Sequence, residues 1–428
     1  MLMFLETIPA DAAISLLVTN PSFDTVASVT FISSLIDDTT FDVQPQSQAM
    51  FPVPPGLRAI GTGRSTSGVM ITSSSEVAVH GFSNGDSTCG GFLAIPVEKL
   101  GYEYYTISRW LDGFEDRSVI GVVATEDNTT VVIQLSRFGS IEFEGVTYSG
   151  PNGDEIVVTL DMFESVQLVA TGGSDFSWSR VIADNAVAVF SGNVETRIQS
   201  SSSDHMIEQM LPVSGAGRIF NLVPVPGRNF ERITLLNLGT VANVTLGRSN
   251  DIIQVAHIFD TSFGPSQQLV SDTDIIVARH SVGINSGQPG LLLVTPEVRY
   301  KSVHIFHVPS FASGDHTNHI TIATGDVTLQ QLRTVYLDGM QIEFQQWNTV
   351  ETRQGNRYGA TLPVEAGLHR VYSRDGDVRL SVSVFVMRTS PEQCTFAFSA
   401  GMCLDYEPTV RCLLNIYVMQ FNKFKFMI

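Results

Sequence analysis

The amino-acid sequence predicts an all-β protein of four tandem β-meander units of about 100 residues each, arranged like the blades of a propeller. The first reason is composition: the 428 residues include 35 Gly, 18 Pro and 26 Phe, whereas charged residues make up only 16%. Such a mixture favours strands joined by tight turns over helices. The other reasons are a short apolar pattern that recurs four times and the short polar turns between most predicted strands.

The recurring pattern is an apolar segment that ends in a small or proline-containing turn, and its copies are spaced by 116, 84 and 104 residues. They read GFLAIPV from Gly91, IEQMLPV from Ile207, LLLVTPEV from Leu291 and TFAFSAGM from Thr395. Each unit also opens with a similar β-branched segment: ISLLVTN, IGVVATE, ITLLNLG and HITIATG. The predicted units are 14–108, 118–223, 231–308 and 317–402, inside a domain 14–404 that lies between a segment 1–13 and an atypical tail 405–428.

An alternating, period-2 strand precedes three of the four copies, at residues 77–82, 187–192 and 382–387. The third unit is expected to lack this strand. Four tandem immunoglobulin-like sandwiches fit the same spacings as a propeller. In a closed ring, an N-terminal strand at residues 3–7 should pair beside residues 382–387, whereas in a string of sandwiches the two segments should lie far apart.

The charge of the chain limits the kinds of partner it can have. A formal net charge of −18 argues against nucleic acid and anionic membranes, because both require clustered Lys and Arg. The apolar run 412–421 is about half the length that a bilayer span needs, so no membrane insertion is expected. The first residues, MLMFL, have no basic leader and are too short for a signal-peptide core, so no signal peptide is visible.

The four cysteines, Cys89, Cys394, Cys403 and Cys412, are too few for a disulfide framework and contain no C-x-x-C pair. A local Cys394–Cys403 bridge and a set of unpaired structural thiols both remain open. Two N-x-T sequons, at Asn128 and Asn243, lie at predicted strand turns and are candidate glycosylation sites.

The sequence offers few candidates for catalysis or metal binding. Asp204 and His205 are adjacent, so on a strand they face opposite sides and cannot form a dyad. His316 and His319, near Asp315, would need a helix to share a metal, but their segment is predicted to be a strand. His369 is interpreted as a turn or packing residue. No G-x-S-x-G, P-loop, H-E-x-x-H or dinucleotide motif occurs in a fitting context, so we expect no enzyme, no cofactor and no metal.

Several segments resemble the N-terminal domain of IgG Fc-binding protein and its relatives, from about residue 14 to 402. They are STCGGFLAIPVEKLGYEYYTIS, VIADNAVAVFSGN, SSSDHMIEQMLPVSGAGRIF, TVYLDG and FAFSAGM. The most specific part is a family motif that we interpret as structural, with Asp204, Glu208 and Gln209 holding the loop after Phe190; its residues are Asp204, His205, Glu208, Gln209 and Pro212. The resemblance implies a secreted, extracellular protein of mucus, body fluid or cell surface, with mucin-like or immune proteins or glycoproteins as partners.

A cluster of aromatic residues gives one candidate binding surface. Strand alternation would bury Tyr102 and Tyr104 and expose Tyr105, where an amphipathic ring can anchor a partner. We therefore predict that Tyr105 and Trp110 contribute to partner recognition, with simple packing as the alternative.

The predicted function is a non-catalytic, protein-binding or structural module of a mucus- or matrix-type secreted protein. The alternatives are an immune recognition module, either lectin-like or Fc-binding, and a glycan-processing hydrolase. The sequence does not fix the oligomeric state.

Overall fold

A computed structural model describes residues 1–8, 12–86, 88–109, 117–170, 173–198, 203–225, 231–281, 289–310, 315–374, 376–390 and 394–404. It confirms the all-β fold class. The opening segments of all four units are strands, as predicted: β-branched residues at period 2 leave alternate side chains on the two faces of a sheet. The predicted tail 405–428, with Cys412, lies outside the described residues.

The first unit contains two sheets that pack face to face. Its inner sheet has the order β4-β1-β7-β8 and its outer sheet the order β3-β2-β6, and Val18 and Val29 belong to the core between them. The strands are β1 (Ala13–Asn20), β2 (Ala27–Ser33), β3 (Ile36–Val43), β4 (Ser47–Val53), β5 (Gly63–Ser65), β6 (Met70–Ser73), β7 (Ala78–Asn84) and β8 (Cys89–Leu93), with 3-10 turns at Pro55–Leu57 and Val97–Lys99.

The second unit is built around one long strand, β16, which passes through both halves of a curled sheet. Its first residues pair with β9 and β11, and the residues from Val187 onward pair with β10 and β17. The strands are β9 (Gly101–Tyr105), β10 (Ser118–Ala124), β11 (Thr129–Gln134), β12 (Ser140–Phe143), β13 (Val146–Ser149), β14 (Glu155–Leu160), β15 (Ser165–Val169), β16 (Arg180–Thr196) and β17 (Asp204–Gln209), with 3-10 turns at Gly150–Asn152 and Val213–Gly215.

The third unit repeats this plan around β23, and it retains the strand that the sequence was expected to lack. Residues 275–281 of β23 pair with β19 and β24, the place that β7 takes in the first unit. The pattern is obscured because Arg279 and His280 are buried on this strand. The strands are β18 (Gly217–Leu222), β19 (Glu231–Asn237), β20 (Ala242–Leu246), β21 (Ile253–Val255), β22 (Ile258–Phe263), β23 (Gln267–Ser281) and β24 (Gly290–Leu293), with a 3-10 turn at Glu297–Arg299.

The fourth unit again has two separate sheets, β25-β31-β27-β28 outside and β29-β30-β26-β32-β33 inside. The described residues include one α-helix, α1 (Leu329–Leu332), with a 3-10 turn at Phe344–Gln346, and none of their helices is long and apolar enough to cross a membrane. The strands are β25 (Val303–Val308), β26 (Asp315–Thr324), β27 (Val335–Leu337), β28 (Met340–Gln341), β29 (Trp347–Thr349), β30 (Tyr358–Pro363), β31 (Gly367–Ser373), β32 (Leu380–Ser390) and β33 (Cys394–Ser399).

Neighbouring units exchange strands. β9, β18 and β25, each placed by the sequence at the end of a unit, pair instead with β16, β23 and β31 of the following unit. β5 of the first unit likewise pairs with β15 of the second. The main sheets of the second and third units and the outer sheet of the fourth are therefore completed by chain that the repeat pattern assigned to the preceding unit, and this interlocks the units.

The four copies of the recurring sequence pattern meet along a common axis. They form β8, β17, β24 and β33, which we call the axial strands, and each contacts the next around a closed ring: β8 with β17, β17 with β24, β24 with β33, and β33 with β8. The structure thus combines features of both predicted arrangements, since units built from two sheets or from one curled sheet surround one axis. The predicted closure through residues 3–7 is wrong: Leu2 pairs with Val69 and Phe4 with Arg58, both within the first unit.

A disulfide closes the ring. Cys89, at the start of β8, is bonded to Cys394, at the start of β33, with a Cα–Cα distance of 5.7 Å and a sequence separation of 305. The sequence left open a local Cys394–Cys403 bridge and a set of unpaired thiols, and both alternatives are wrong for Cys394, whose partner is Cys89. The cause is the ring itself, which makes the first and fourth units neighbours although they are the most distant in sequence.

We predict that replacing both bridge residues, in Cys89→Ala/Cys394→Ala, lowers the free energy of unfolding by about 2–5 kcal/mol, because the bond restricts the unfolded chain over a very long loop. Chemical denaturation of the oxidised wild type and the variant measures this difference. Peptide mapping without reductant supplies the control: the wild type should yield linked Cys89 and Cys394 peptides, and a linked Cys394–Cys403 peptide would contradict the pairing.

Candidate functional site

The family motif lies on β17, at the axis of the molecule. All six residues of this strand are buried, although Asp204, His205, Glu208 and Gln209 are polar. They are buried because β17 pairs with β16 and also contacts the axial strands β8 and β24. Polar groups in such a place require hydrogen-bond partners, since an unsatisfied buried group is costly.

The Asp204 carboxylate joins three of the four units. Its Oδ1 accepts hydrogen bonds from the backbone N–H of Cys89 at 2.8 Å and from the Thr88 hydroxyl at 3.0 Å, both in the first unit. Its Oδ2 accepts from the backbone N–H of Thr395 in the fourth unit, at 3.0 Å. The N–H of His205, in its own strand, is a further donor at 2.8 Å. Burial raises the pKa of Asp204 well above its usual value, and these donors oppose that shift.

Glu208 and Gln209 connect the remaining neighbours. The Glu208 carboxyl accepts from the backbone N–H of Leu293 in the third unit, at 3.4 Å, and from that of Leu93 in the first. Gln209 Oε1 accepts from the N–H of Ile95 at 2.9 Å. Burial raises the pKa of Glu208 to about 8. The predicted role in holding the loop after Phe190 is therefore not what these contacts do; they hold one unit to another.

The other two motif residues pack the same region. His205 Nδ1 lies 2.9 Å from the carbonyl oxygen of Asn193, and burial, followed by the charge of Arg58, lowers the pKa of His205 to about 4. The imidazole is therefore neutral at physiological pH, and Asp204 contacts its backbone rather than its ring. Pro212 packs on Gly101 of β9 so closely that a Cβ at Gly101 would lie 2.6 Å from the Pro212 Cβ.

The histidines considered for metal binding have structural surroundings. His369 Nδ1 lies 2.7 Å from an Asp338 carboxylate oxygen, and its Nε2 lies 2.8 Å from the Glu365 carbonyl oxygen, so it holds the turn between β27 and β28. His316 and His319 lie on β26, which is a strand as predicted. The described part of the chain contains no group of three or more His, Cys, Asp or Glu side chains that could hold a metal ion.

The aromatic cluster differs from the alternation that we predicted. Tyr102 is 59% exposed, whereas Tyr104 and Tyr105 are 0% and 8% exposed. Tyr105 is covered because its ring lies 5.9 Å from that of Trp178, which in turn contacts His257 of the third unit with ring centroids 4.0 Å apart. A face that would be exposed on an isolated sheet is thus buried by the next unit. The predicted role of Tyr105 in recognition was based on an exposed ring, and the ring is buried, so the role stays a prediction that this exposure does not support. Trp110 lies outside the described residues.

The two sequon asparagines have different surroundings. Asn128 is exposed in the turn between β10 and β11, with φ of 55°, as expected for a turn. Asn243 instead lies on strand β20, and its side-chain amide donates to Asp272 at 2.7 Å. Asn243 is half-buried and its Nδ2 contacts Asp272, whereas Asn128 is exposed, so Asn128 is the more accessible of the two acceptors.

An exposed surface that the sequence interpretation missed lies on the outer sheet of the fourth unit. The rings of Tyr336 and Tyr372 are stacked with centroids 5.5 Å apart. The Arg370 guanidinium lies between Tyr372, at 4.3 Å, and Phe23 of the first unit, at 4.8 Å, while that of Arg374 lies 4.5 Å above Tyr336. We call these five residues the Arg–Tyr face. The sequence feature that could have revealed this face is the period-2 segment LHRVYSR, because an extended chain with this pattern has Arg370, Tyr372 and Arg374 on one side.

Comparison with known proteins gives one match. The family model described as IgGFc binding protein matches residues 90–383 of the chain, and this confirms the resemblance seen in the sequence. No curated protein matches the chain. The matched region runs from β8 to β32, so it includes the axial motif on β17 and the strands β27 and β31 of the Arg–Tyr face.

We predict that Asp204→Asn lowers the free energy of unfolding by about 2–4 kcal/mol, because the side-chain NH2 group of Asn replaces one carboxylate oxygen and places donor hydrogens against a backbone N–H that now donates to that oxygen. Urea unfolding at pH 7 measures the loss. The matched control is Asp37→Asn, which changes an exposed carboxylate on the edge strand β3 and should leave the unfolding midpoint unchanged. Equal midpoints for the two variants would contradict an axial role for Asp204.

A second prediction concerns pH. Because the pKa of Glu208 is raised from 4.5 to about 8 in the folded chain, the folded state keeps a proton that the unfolded chain has released between these values. The unfolding free energy should therefore rise as the pH falls from 8 towards 4.5, by at most about 1.4 kcal/mol per pH unit from this group. Glu208→Gln should remove that contribution, whereas exposed Glu98→Gln should keep it. Parallel pH profiles for the wild type and Glu208→Gln would refute the assignment.

Proposed function

Since the chain belongs to the IgGFc binding protein family, a family of extracellular binding proteins, we propose that it is an extracellular protein-binding module that acts without catalysis. The observation that carries the proposal is the family match across residues 90–383. In the finer proposal, the module belongs to a mucus- or matrix-type secreted protein and contributes to binding or structure there.

The architecture supports a rigid scaffold that presents its outer sheets and loops. Carboxylates on β17 and the Cys89–Cys394 bridge hold the units around the axis, so a ligand meets a fixed surface and little conformational freedom is lost on binding. A disulfide also suits an extracellular location, because such bonds form and persist in oxidising compartments. The net charge of −18 would favour hydration and solubility among extracellular glycoproteins.

One constellation has a catalytic appearance, and its burial supports the non-catalytic proposal. The Thr234 hydroxyl donates to an Asp260 carboxylate oxygen at 2.5 Å and lies 2.8 Å from His280 Nε2. Thr234 and His280 are buried, and burial lowers the pKa of His280 to about 3. A hydroxyl and an imidazole that are both buried are not open to a substrate, so the arrangement supports packing of the third unit better than nucleophilic attack.

Two classes of partner follow from the proposal. Mucin-like extracellular glycoproteins are the first, in keeping with the matrix-type role. Immunoglobulin Fc is the second, and the description of the matching family favours it. The two classes are distinguished by direct binding, since one partner is an extended glycoprotein and the other a compact pair of β-sandwich domains.

We predict that the full-length, oxidised chain binds purified mucin or Fc with a dissociation constant in the micromolar range or tighter, about −8 kcal/mol or below. Biolayer interferometry with the chain immobilised measures this affinity, with serum albumin as the negative analyte. The heat-denatured chain is the control for non-specific adsorption. Signals for both partners no larger than that for albumin, together with hydrolysis of a glycan substrate by the folded chain, would overturn the binding proposal in favour of a hydrolase.

A further inference from the structure

The Arg–Tyr face is a surface built by the register of three strands. Across the outer sheet of the fourth unit, Val303 of β25 and Tyr336 of β27 both lie opposite Tyr372 of β31. Side chains at such positions point to the same side of the sheet. All three are half-buried, so this side of the sheet is not covered by another unit within the described part of the chain.

Both arginines of the face are held in place without a carboxylate. Arg370 lies between the rings of Phe23 and Tyr372, and Arg374 lies over Tyr336. No ion pair involves either guanidinium among the described residues. Stacking on a ring fixes the plane of a guanidinium while leaving N–H groups at its rim to bind a carboxylate. The Nε of Arg370 is buried, so a carboxylate can approach this side chain only through its Nη groups.

The charge of these arginines contrasts with the rest of the molecule. The chain has a net charge of −18, and elsewhere arginines such as Arg180, Arg218 and Arg357 form ion pairs with Glu103, Asp274 and Glu297. Two guanidiniums that form no ion pair within the described part of the chain make a local positive site on an acidic protein. The partner that complements it carries negative charge at matching positions.

We propose that the Arg–Tyr face is the docking site for an acidic, extended segment of a protein partner, an inference that rests on the proposed protein-binding function. Arg370 lies on β31 and Arg374 in the turn that directly follows it, so their Cα atoms are separated by at most about 13 Å at 3.3 Å per residue. Two carboxylates with the same spacing in a partner segment would reach both guanidiniums. The half-exposed rings of Tyr336 and Tyr372 supply the apolar area between them, in the manner of interface hot spots rich in Tyr and Arg.

The details favour a polypeptide over a sulfated glycan. The guanidiniums cover faces of the tyrosine rings, so these faces are less open for stacking on a sugar. The Asp338 carboxylate, which accepts a hydrogen bond from the Arg370 backbone N–H at 2.7 Å, adds negative charge beside the site. A densely charged polyanion would be repelled by this carboxylate and by the acidic chain as a whole. A segment with only two carboxylates carries less charge to be repelled, and each carboxylate can pair with one guanidinium.

The test measures binding of a fluorescein-labelled ten-residue Gly/Ser peptide that carries two glutamates four residues apart, by fluorescence polarisation with the full-length, oxidised chain. The same peptide with two glutamines is the ligand control. Arg370→Gln/Arg374→Gln should raise the dissociation constant at least about tenfold, and added salt should weaken wild-type binding, because the contacts are charge-assisted.

The matched protein control is Arg137→Gln. Arg137 is also an exposed arginine over an aromatic ring, 4.6 Å from Phe138, but it lies in the second unit, away from the face. It should leave peptide affinity within about twofold of wild type. Arg370→Lys/Arg374→Lys keeps the charge and should retain part of the binding, and circular dichroism melts check that each variant folds.

Four results would overturn the proposal: no binding of the glutamate peptide, equal loss in Arg137→Gln, tighter binding of a heparin oligosaccharide that displaces the peptide, or a dimer in sedimentation that only the double variant dissociates. The last two would assign the face to a glycan or to a second copy of the chain. If the peptide fails to bind while mucin or Fc binds wild type and double variant equally, the result refutes the docking site but agrees with the proposed protein-binding function. Loss of binding to every ligand would instead refute the proposed function itself.

Discussion

The fold depends on satisfying the free edges of four strands that meet at one axis. Each axial strand lies at the edge of its own sheet, and an edge strand carries N–H groups without sheet partners. Buried at an axis, these groups have no water to bind. Asp204 and Glu208 solve the problem because the oxygens of a carboxyl group offer several acceptor positions, so that one side chain serves donors on two or three strands at once. The other axial strands can then be almost wholly apolar, as GLLL in β24 is.

The same constraint explains why the axial motif is asymmetric. Four identical strands with acidic residues would bring several carboxylates together in a small buried volume, and like charges there would destabilise the fold. Placing the acids on β17 alone gives acceptors to the neighbouring strands without that repulsion. The disulfide then joins β8 to β33, where the ring must close between the two units most distant in sequence. The Asp204 carboxylate lies beside this bond, since it accepts from the N–H groups of Cys89 at 2.8 Å and Thr395 at 3.0 Å.

The sequence predicted those features that repeat or alternate locally. The fold class and the opening strands of the units follow from period-2 patterns, and the four copies of the apolar pattern became the axial strands. Features that depend on contact between units were not predictable from local sequence patterns. The Cys89–Cys394 pairing, the burial of Tyr105 against Trp178 and the exchange of strands such as β9 all require knowing which units are neighbours. The strand in the third unit was missed for a related reason, because Arg279 reads as a surface residue until the buried Glu231 beside it is known.

Closure of the ring of four units also determines the structure of the Arg–Tyr face on the surface. Phe23 belongs to the first unit and Arg370 to the fourth, and their contact crosses the same joint that Cys89 and Cys394 close at the axis. A string of independent sandwiches would leave Phe23 far from β31, and Arg370 would then have a ring on one side only. The surface that orders this guanidinium is therefore a product of the closed ring, although none of its residues belongs to the axial strands. A change that opens the axis would alter the exposed face as well, so the buried family motif would affect the proposed docking site without being part of it.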